Sequence, residues 1–183
     1  MPFNMTIRPV AVALAAASLA LIFAFASTGA AQAAGCKGTS STNRAVASKA
    51  MACLINRARA ARGLPALRAD NRLRRVASRH ANQMVRMRFF GHNSPRNGGL
   101  VARVKRSGFA PRNRQWWCGE NLGFGTGRLR AARPVFNGWM NSKIHKDAIL
   151  YGHFKRMGVG TFRGTPQGGA RRGALTYVVT FGG

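Results

Sequence analysis

Acidic residues are almost missing from this chain. Of its 183 residues only Asp70, Glu120 and Asp147 carry a carboxylate, against 30 Lys and Arg, and the formal charge is +27. Sites that need several carboxylates cannot be built, which excludes an EF-hand, a di-iron carboxylate centre and an aspartic dyad. Nucleotide-binding glycine patterns are absent as well: there is no GxxxxGK(S/T), and no GxGxxG follows a strand. Cysteine is scarce. Cys36, Cys53 and Cys118 have neither zinc-ribbon nor CxxC redox spacing. What the chain does have is apolar content. Hydrophobic residues make up 46 %, with 11 Phe and 3 Trp, enough for a core and against intrinsic disorder. The length suits one domain.

The cations are 24 Arg and 6 Lys, spread along the chain. Such an excess fits a binder of polyanions or of an anionic membrane surface. It fits equally a solvated basic shell produced by compositional drift.

At the amino terminus, Arg8 precedes an apolar run from Val10 to Ala26, followed by the small-residue stretch STGAAQAAGC. Charged, apolar, small is the order of a secretory signal. Residues 1–34 are therefore expected to be a signal peptide and the protein to be secreted, that is, extracellular. A retained anchor is one alternative, although the run is at the short edge for a span, and a lipoprotein with lipid attached at Cys36 is another, although the residues before it lack the usual Leu. Export places the cysteines in an oxidising compartment, where three of them allow one bridge.

Residues 35–48 read as a polar amino-terminal arm and 49–183 as the folded domain. Over 45–62, Ala47, Met51, Leu54 and Ala58 recur at helical spacing, with Arg57, Arg59 and Arg62 assigned to the outer side. Gly63 and Pro65 end that helix. Asp70 caps a second one, whose stripe runs Leu73, Val76, Ala77, His80, Ala81, Met84, Val85, with Arg75, Arg79 and Arg86 facing away. His80 on that stripe reads as a core or cavity-wall histidine. GHNSPRNGG is a loop, LVARVKRSG a two-turn helix, and GENLGFGTG a short strand or tight turn. Residues 129–142 read as a helix and 143–154 as a turn and short helix. MGVGTFRG and ALTYVVTFG form a hairpin across TPQGGARRG. Helices followed by a small antiparallel sheet predict an α+β fold.

His92, Glu120 and His145 come from three separate segments. Two imidazoles and a carboxylate suffice to hold a divalent metal or to do acid–base chemistry. Alternatively, Glu120 simply accepts hydrogen bonds from neighbouring loops or pairs with an Arg.

The ordered pieces LINRARAARGLPAL (54–67), FFGHNSP (89–95), GENLGFG (119–125), WMNSKIH (139–145), MGVG (157–160) and YVVTFG (177–182) resemble the CAP superfamily of cysteine-rich secretory proteins, antigen 5 and pathogenesis-related 1 proteins, and its secreted bacterial branch most. The resemblance covers roughly residues 49–182. It implies a three-layer α-β-α sandwich with a central cleft lined by two His and two acids. His92, Glu120 and His145 match three of the four. The second acid is expected about eleven residues after His92, where this chain has Arg103. A cation at that place weakens any zinc site and argues against hydrolysis. The family further implies binding of lipids or sterols in eukaryotic members, sometimes with zinc in the cleft.

Two disulfide pairings are open, Cys36–Cys53 and Cys53–Cys118. The first staples the arm to the first helix, with a loop-closure contribution of ~3 kcal/mol, and similar bacterial proteins pair cysteines at arm and first helix. The function expected is that of a secreted CAP-like module binding a lipid, a sterol-like ligand or an anionic envelope polymer in or near the His/Glu cleft. Its alternatives are a metal-assisted hydrolase using His92, Glu120 and His145 with zinc, and a basic polyanion or membrane-surface binder. No specific nucleic-acid partner is expected, and the chain is expected to act as a monomer.

Overall fold

The structure is a computed structural model that describes residues 35–168 and 173–183. The signal reading lies outside the described residues, and so does most of the GGARR turn.

The first helix, α1 (Arg44–Ala60), begins inside the segment expected to be arm. Asn43 caps it by accepting from the amides of Ala45 and Val46. A two-residue strand, β1 (Arg68–Ala69), precedes α2 (Asn71–Arg86), which Asp70 caps as expected. Next come α3 (Leu100–Arg106) and the nine-residue strand β2 (Cys118–Thr126). The single helix expected over 129–142 is divided into a 3-10 turn (Gly127–Arg130) and α4 (Ala132–Met140). Pro134 is tolerated because it stands in the first turn of α4, where no intrahelical N–H bond is lost. The chain ends with α5 (Lys143–Leu150), β3 (Arg156–Arg163) and β4 (Ala174–Gly182).

The sheet order is β1-β3-β4-β2. β4 pairs antiparallel with both neighbours, whereas β1 pairs parallel with β3. The expected antiparallel sheet is therefore mixed at one edge, through a strand too short to show periodicity. β4 is buried along its whole length, as a central strand covered on both faces must be. Leu175, Tyr177, Val179 and Phe181 face a core shared with Met51, Leu54 and Ile55 of α1, Val135 and Trp139 of α4, and Ile149 of α5. Val178 faces the other layer, with Ala77, Ala81 and Met84 of α2. The result is α1, α4 and α5 on one side of the sheet and α2 and α3 on the other, a three-layer α+β sandwich.

Glycine sets how closely α2 lies. A Cβ at Gly158 would run into the α2 backbone at Leu73–Arg74, and one at Gly160 into Ala77–Ser78. The alternating glycines of MGVG let α2 rest directly on β3, which fixes the height of His80 over the sheet.

Arg59 departs from its expected outer position. It is 0 % exposed. Its Nε donates to the Pro65 carbonyl (2.9 Å), Nη1 to those of Ile149 (2.9 Å) and Tyr151 (3.0 Å), and Nη2 to that of Phe154 (3.4 Å). Carbonyls rather than a carboxylate satisfy the guanidinium, and burial lowers its pKa. Arg57 and Arg62 are exposed as expected.

One disulfide joins Cys36 to Cys53, with Cα atoms 5.7 Å apart. Cys118 is free and half-buried, and burial pushes its thiol pKa up.

Candidate functional site

Glu120 lies near the start of β2 with a fully buried side chain. Arg103, on α3, donates through Nη2 to both of its carboxylate oxygens at 2.9 Å. Arg103 Nη1 donates to the carbonyls of His92 (2.6 Å) and Gly98 (2.8 Å). His92 Nδ1 stands 3.0 Å from Glu120 Oε2 and donates to it, while the side chain as a whole is 56 % exposed. One carboxylate thus ties α3 and the 91–99 loop to the sheet.

Local sequence explains how His92 gets there. α2 stops at Met87, and Arg88 takes a left-handed φ of 52°, turning the chain back so that the Phe89 amide reaches the Met84 carbonyl (3.1 Å). Ser94 and Gly98 exchange backbone bonds, and Ser94 Oγ donates to Gln83 Oε1 of α2 (2.9 Å). The loop is therefore pinned at both ends.

His80 forms the wall behind Glu120. Its Nε2 donates to the Gly91 carbonyl (2.9 Å). A carbonyl only accepts, so this nitrogen carries the ring hydrogen; Nδ1 has no partner among the described residues. Burial holds the imidazole below the ordinary histidine value. Glu120 pulls the other way, and Arg103 adds to the depression. The 3.7 Å approach of Nε2 to Glu120 is thus a contact of a neutral ring rather than an ion pair.

His145 joins the site less directly. Its Nδ1 pairs with Ser142 Oγ (2.9 Å), and its ring stacks on Trp139 with centroids 6.5 Å apart. Its carbonyl accepts from Asn121 Nδ2 (3.0 Å), the residue next to Glu120, and Trp139 Nε1 donates to the Leu122 carbonyl (2.8 Å). Burial, and then the neighbouring His92, lower the His145 pKa. No hydrogen bond joins His145 to Glu120 or His92 among the described residues.

As arranged, Glu120 has no free oxygen to offer a divalent metal. Both Glu120 oxygens are engaged by a guanidinium, which already supplies the positive charge, while the Nδ1 atoms of His92 and His145 are bonded to Glu120 and Ser142, which leaves Nε2 as the open donor of each ring. Among the described residues no group of three His, Cys, Asp or Glu side chains is placed to hold an ion.

Apolar residues flank this cluster in the chain. Phe90, two residues before His92, is 51 % exposed and meets Phe124 of β2 edge-on (5.3 Å between centroids). Ile144, beside His145, is 81 % exposed. Their exposure is not announced by periodicity; the apolar type alone would have placed them inside.

The cysteine-rich secretory protein (CAP) family model matches residues 53–181. The chain belongs to the CAP family. Its CAP domain is 31 % identical over 107 residues to the uncharacterized protein YkwD of Bacillus subtilis, a match covering 58 % of this chain and 39 % of that protein. An extracellular SCP-domain protein of Bacillus anthracis shares the fold with a TM-score of 0.58 and 26 % identity, over 72 % of this chain and 38 % of that one. An outer surface protein of Borrelia burgdorferi superposes with a TM-score of 0.59 at 23 % identity, over 73 % of this chain and 90 % of its own, a likeness of fold alone. The match to each Bacillus relative thus spans well under half of that relative's length. Among the described residues no helix is long and apolar enough to cross a membrane.

Proposed function

We propose that this CAP domain is a secreted binding module that holds a ligand of the cell envelope, lipid-like or anionic, without hydrolysing it. The observation that carries this is the Arg103 fork on Glu120. A general base must have a free lone pair facing the substrate, and both Glu120 oxygens face a guanidinium in a buried pocket. What reaches solvent is the His92 imidazole, with exposed Phe90 beside it in the chain. Exposed aromatic surface suits contact with a ligand, and the His92 ring, held by Glu120 through Nδ1, is the one group left for an enzyme reading to use. The amino-terminal signal pattern and the extracellular description of the Bacillus anthracis protein support secretion.

Native mass spectrometry and lipid extraction of the exported protein test this. Co-purifying lipid or envelope polymer that is lost in Phe90→Ala is the expected result. Hydrolysis of ester or peptide substrates that disappears in His92→Ala would overturn it in favour of the enzyme reading.

A further inference from the structure

A concavity of 430 Å³ opens between α2 and α3. Its lining includes Arg75 and Arg79 on one helix, Arg103 and Arg106 on the other, with Asn97 and Ser107 between. The spacings, i to i+4 on α2 and i to i+3 on α3, put each pair on one helix face. No acidic side chain lines the space. Arg75 and Arg79 have no hydrogen-bond or ion-pair partner among the described residues, and Arg106 donates only to the Asn97 carbonyl. Arg103 is the buried member, its side chain 5 % exposed. Its Nη atoms are taken by Glu120, His92 and Gly98, but its Nε–H has no acceptor. A buried donor left without an acceptor is costly, and three guanidinium groups without a carboxylate partner, those of Arg75, Arg79 and Arg106, gathered at one hollow favour an anion there.

We propose that this hollow is a binding site for a phosphoryl group, distinct from the His92 rim. Guanidinium forks match tetrahedral oxyanions through paired N–H donors. Arg75, Arg79 and Arg106 are exposed around a concave space, so a protruding phosphate can meet donors from both helices at once. A free or polymer-borne phosphate monoester or diester and a phospholipid headgroup share this chemistry.

The test is an NMR titration of the exported protein with inorganic phosphate at constant ionic strength, with chloride as reference. Arg75→Gln/Arg79→Gln removes two exposed donors without touching the Glu120 pair. Arg57→Gln/Arg62→Gln removes the same charge from exposed positions on α1. Saturable shifts at α2 and α3 are expected, with phosphate affinity falling roughly tenfold or more in the α2 variant and little in the α1 variant. Equal responses to phosphate and chloride, or equal losses in both variants, would overturn the site and leave only diffuse charge. sn-Glycerol 3-phosphate and phosphatidylglycerol vesicles then identify the source. Sensitivity to the α2 variant with the soluble ester alone assigns an inserted phosphate, and sensitivity with vesicles assigns a headgroup. If neither probe distinguishes the α2 variant from the α1 variant, the proposal fails. Lipid capture at Phe90 can fail or succeed independently of all these outcomes.

Discussion

Arg103 holds both oxygens of Glu120 from one nitrogen, at 2.9 Å each, with both side chains buried. The CAP resemblance places a second acid at this position, and the family's pair of carboxylates is replaced here by an internal ion pair. The buried Glu120 carboxylate takes its countercharge from its own chain.

Breaking this pair should be severe. Arg103→Ala leaves Glu120 as an uncompensated buried charge, at a cost of about 3–5 kcal/mol. Arg103→Glu should be at least as destabilising in the presence of EDTA, since two carboxylates then share one dry pocket. Zinc should recover part of that loss in Arg103→Glu and change the wild type little. Thermal melts with and without zinc check this. Strong zinc stabilisation of the wild type would show that the guanidinium does not take the metal's place.

Stability should depend on pH through His80. Its folded-state pKa lies below the ordinary value of ~6.5 because the ring is buried. The unfolded chain therefore binds more protons than the folded one in the window beneath ~6.5. Stability is complete above that pH and falls as the solution is acidified. Urea unfolding from pH 7.5 down to pH 5 should show the decline. His80→Gln keeps a donor toward the Gly91 carbonyl and should flatten the profile even where it lowers overall stability. An unchanged slope in that variant would assign the acid sensitivity elsewhere.

Arg59 should behave as a core residue. Arg59→Ala strands the carbonyls of Pro65, Ile149, Tyr151 and Phe154 in a buried space. A loss of about 3 kcal/mol or more is expected, against less than ~0.5 kcal/mol for Arg57→Ala or Arg62→Ala. Arg59→Lys should recover only part, because an ammonium cannot span four carbonyls from one planar fork. Denaturant midpoints of the four variants decide it.

Arg59 also shows where sequence reading reaches its limit. α2 is legible because its cap, Asp70, and its apolar stripe agree. β3 and β4 are legible from β-branched and aromatic runs. The polarity of Arg59 assigns it outward, while the carbonyls that receive it belong to segments brought close only by folding. β1 has two residues and no period to detect. At the site, the place of Arg103 eleven residues after His92 is visible in the sequence. That it pairs with Glu120 depends on α3 lying beside β2, which no spacing encodes. His145 reads from sequence as a metal or acid–base partner. Ser142 three residues earlier holds its Nδ1, a contact that orients the ring and that no spacing rule announces.

The disulfide yields the last prediction. Cys36 and Cys53 are 17 residues apart, and Cys36 packs against the α1-side core. Cross-linking a loop of that size removes unfolded-state freedom worth ~3 kcal/mol in the chain-entropy account. Cys36→Ser should therefore lower the unfolding free energy by about that amount while leaving the Glu120 cluster intact, because that cluster is built from α2, α3, the 91–99 loop and β2. The predicted signature is a reduced denaturant midpoint with unchanged His92 and His80 chemical shifts. The new thiol of Cys53 should not pair with Cys118, since Cys118 packs with Leu73, Val76 and Val104 on the opposite face of the sheet from α1. Non-reducing peptide mapping of the wild type should link Cys36 to Cys53 alone. A Cys53–Cys118 peptide, in wild type or variant, would contradict the layer arrangement itself, because the sheet stands between those two residues.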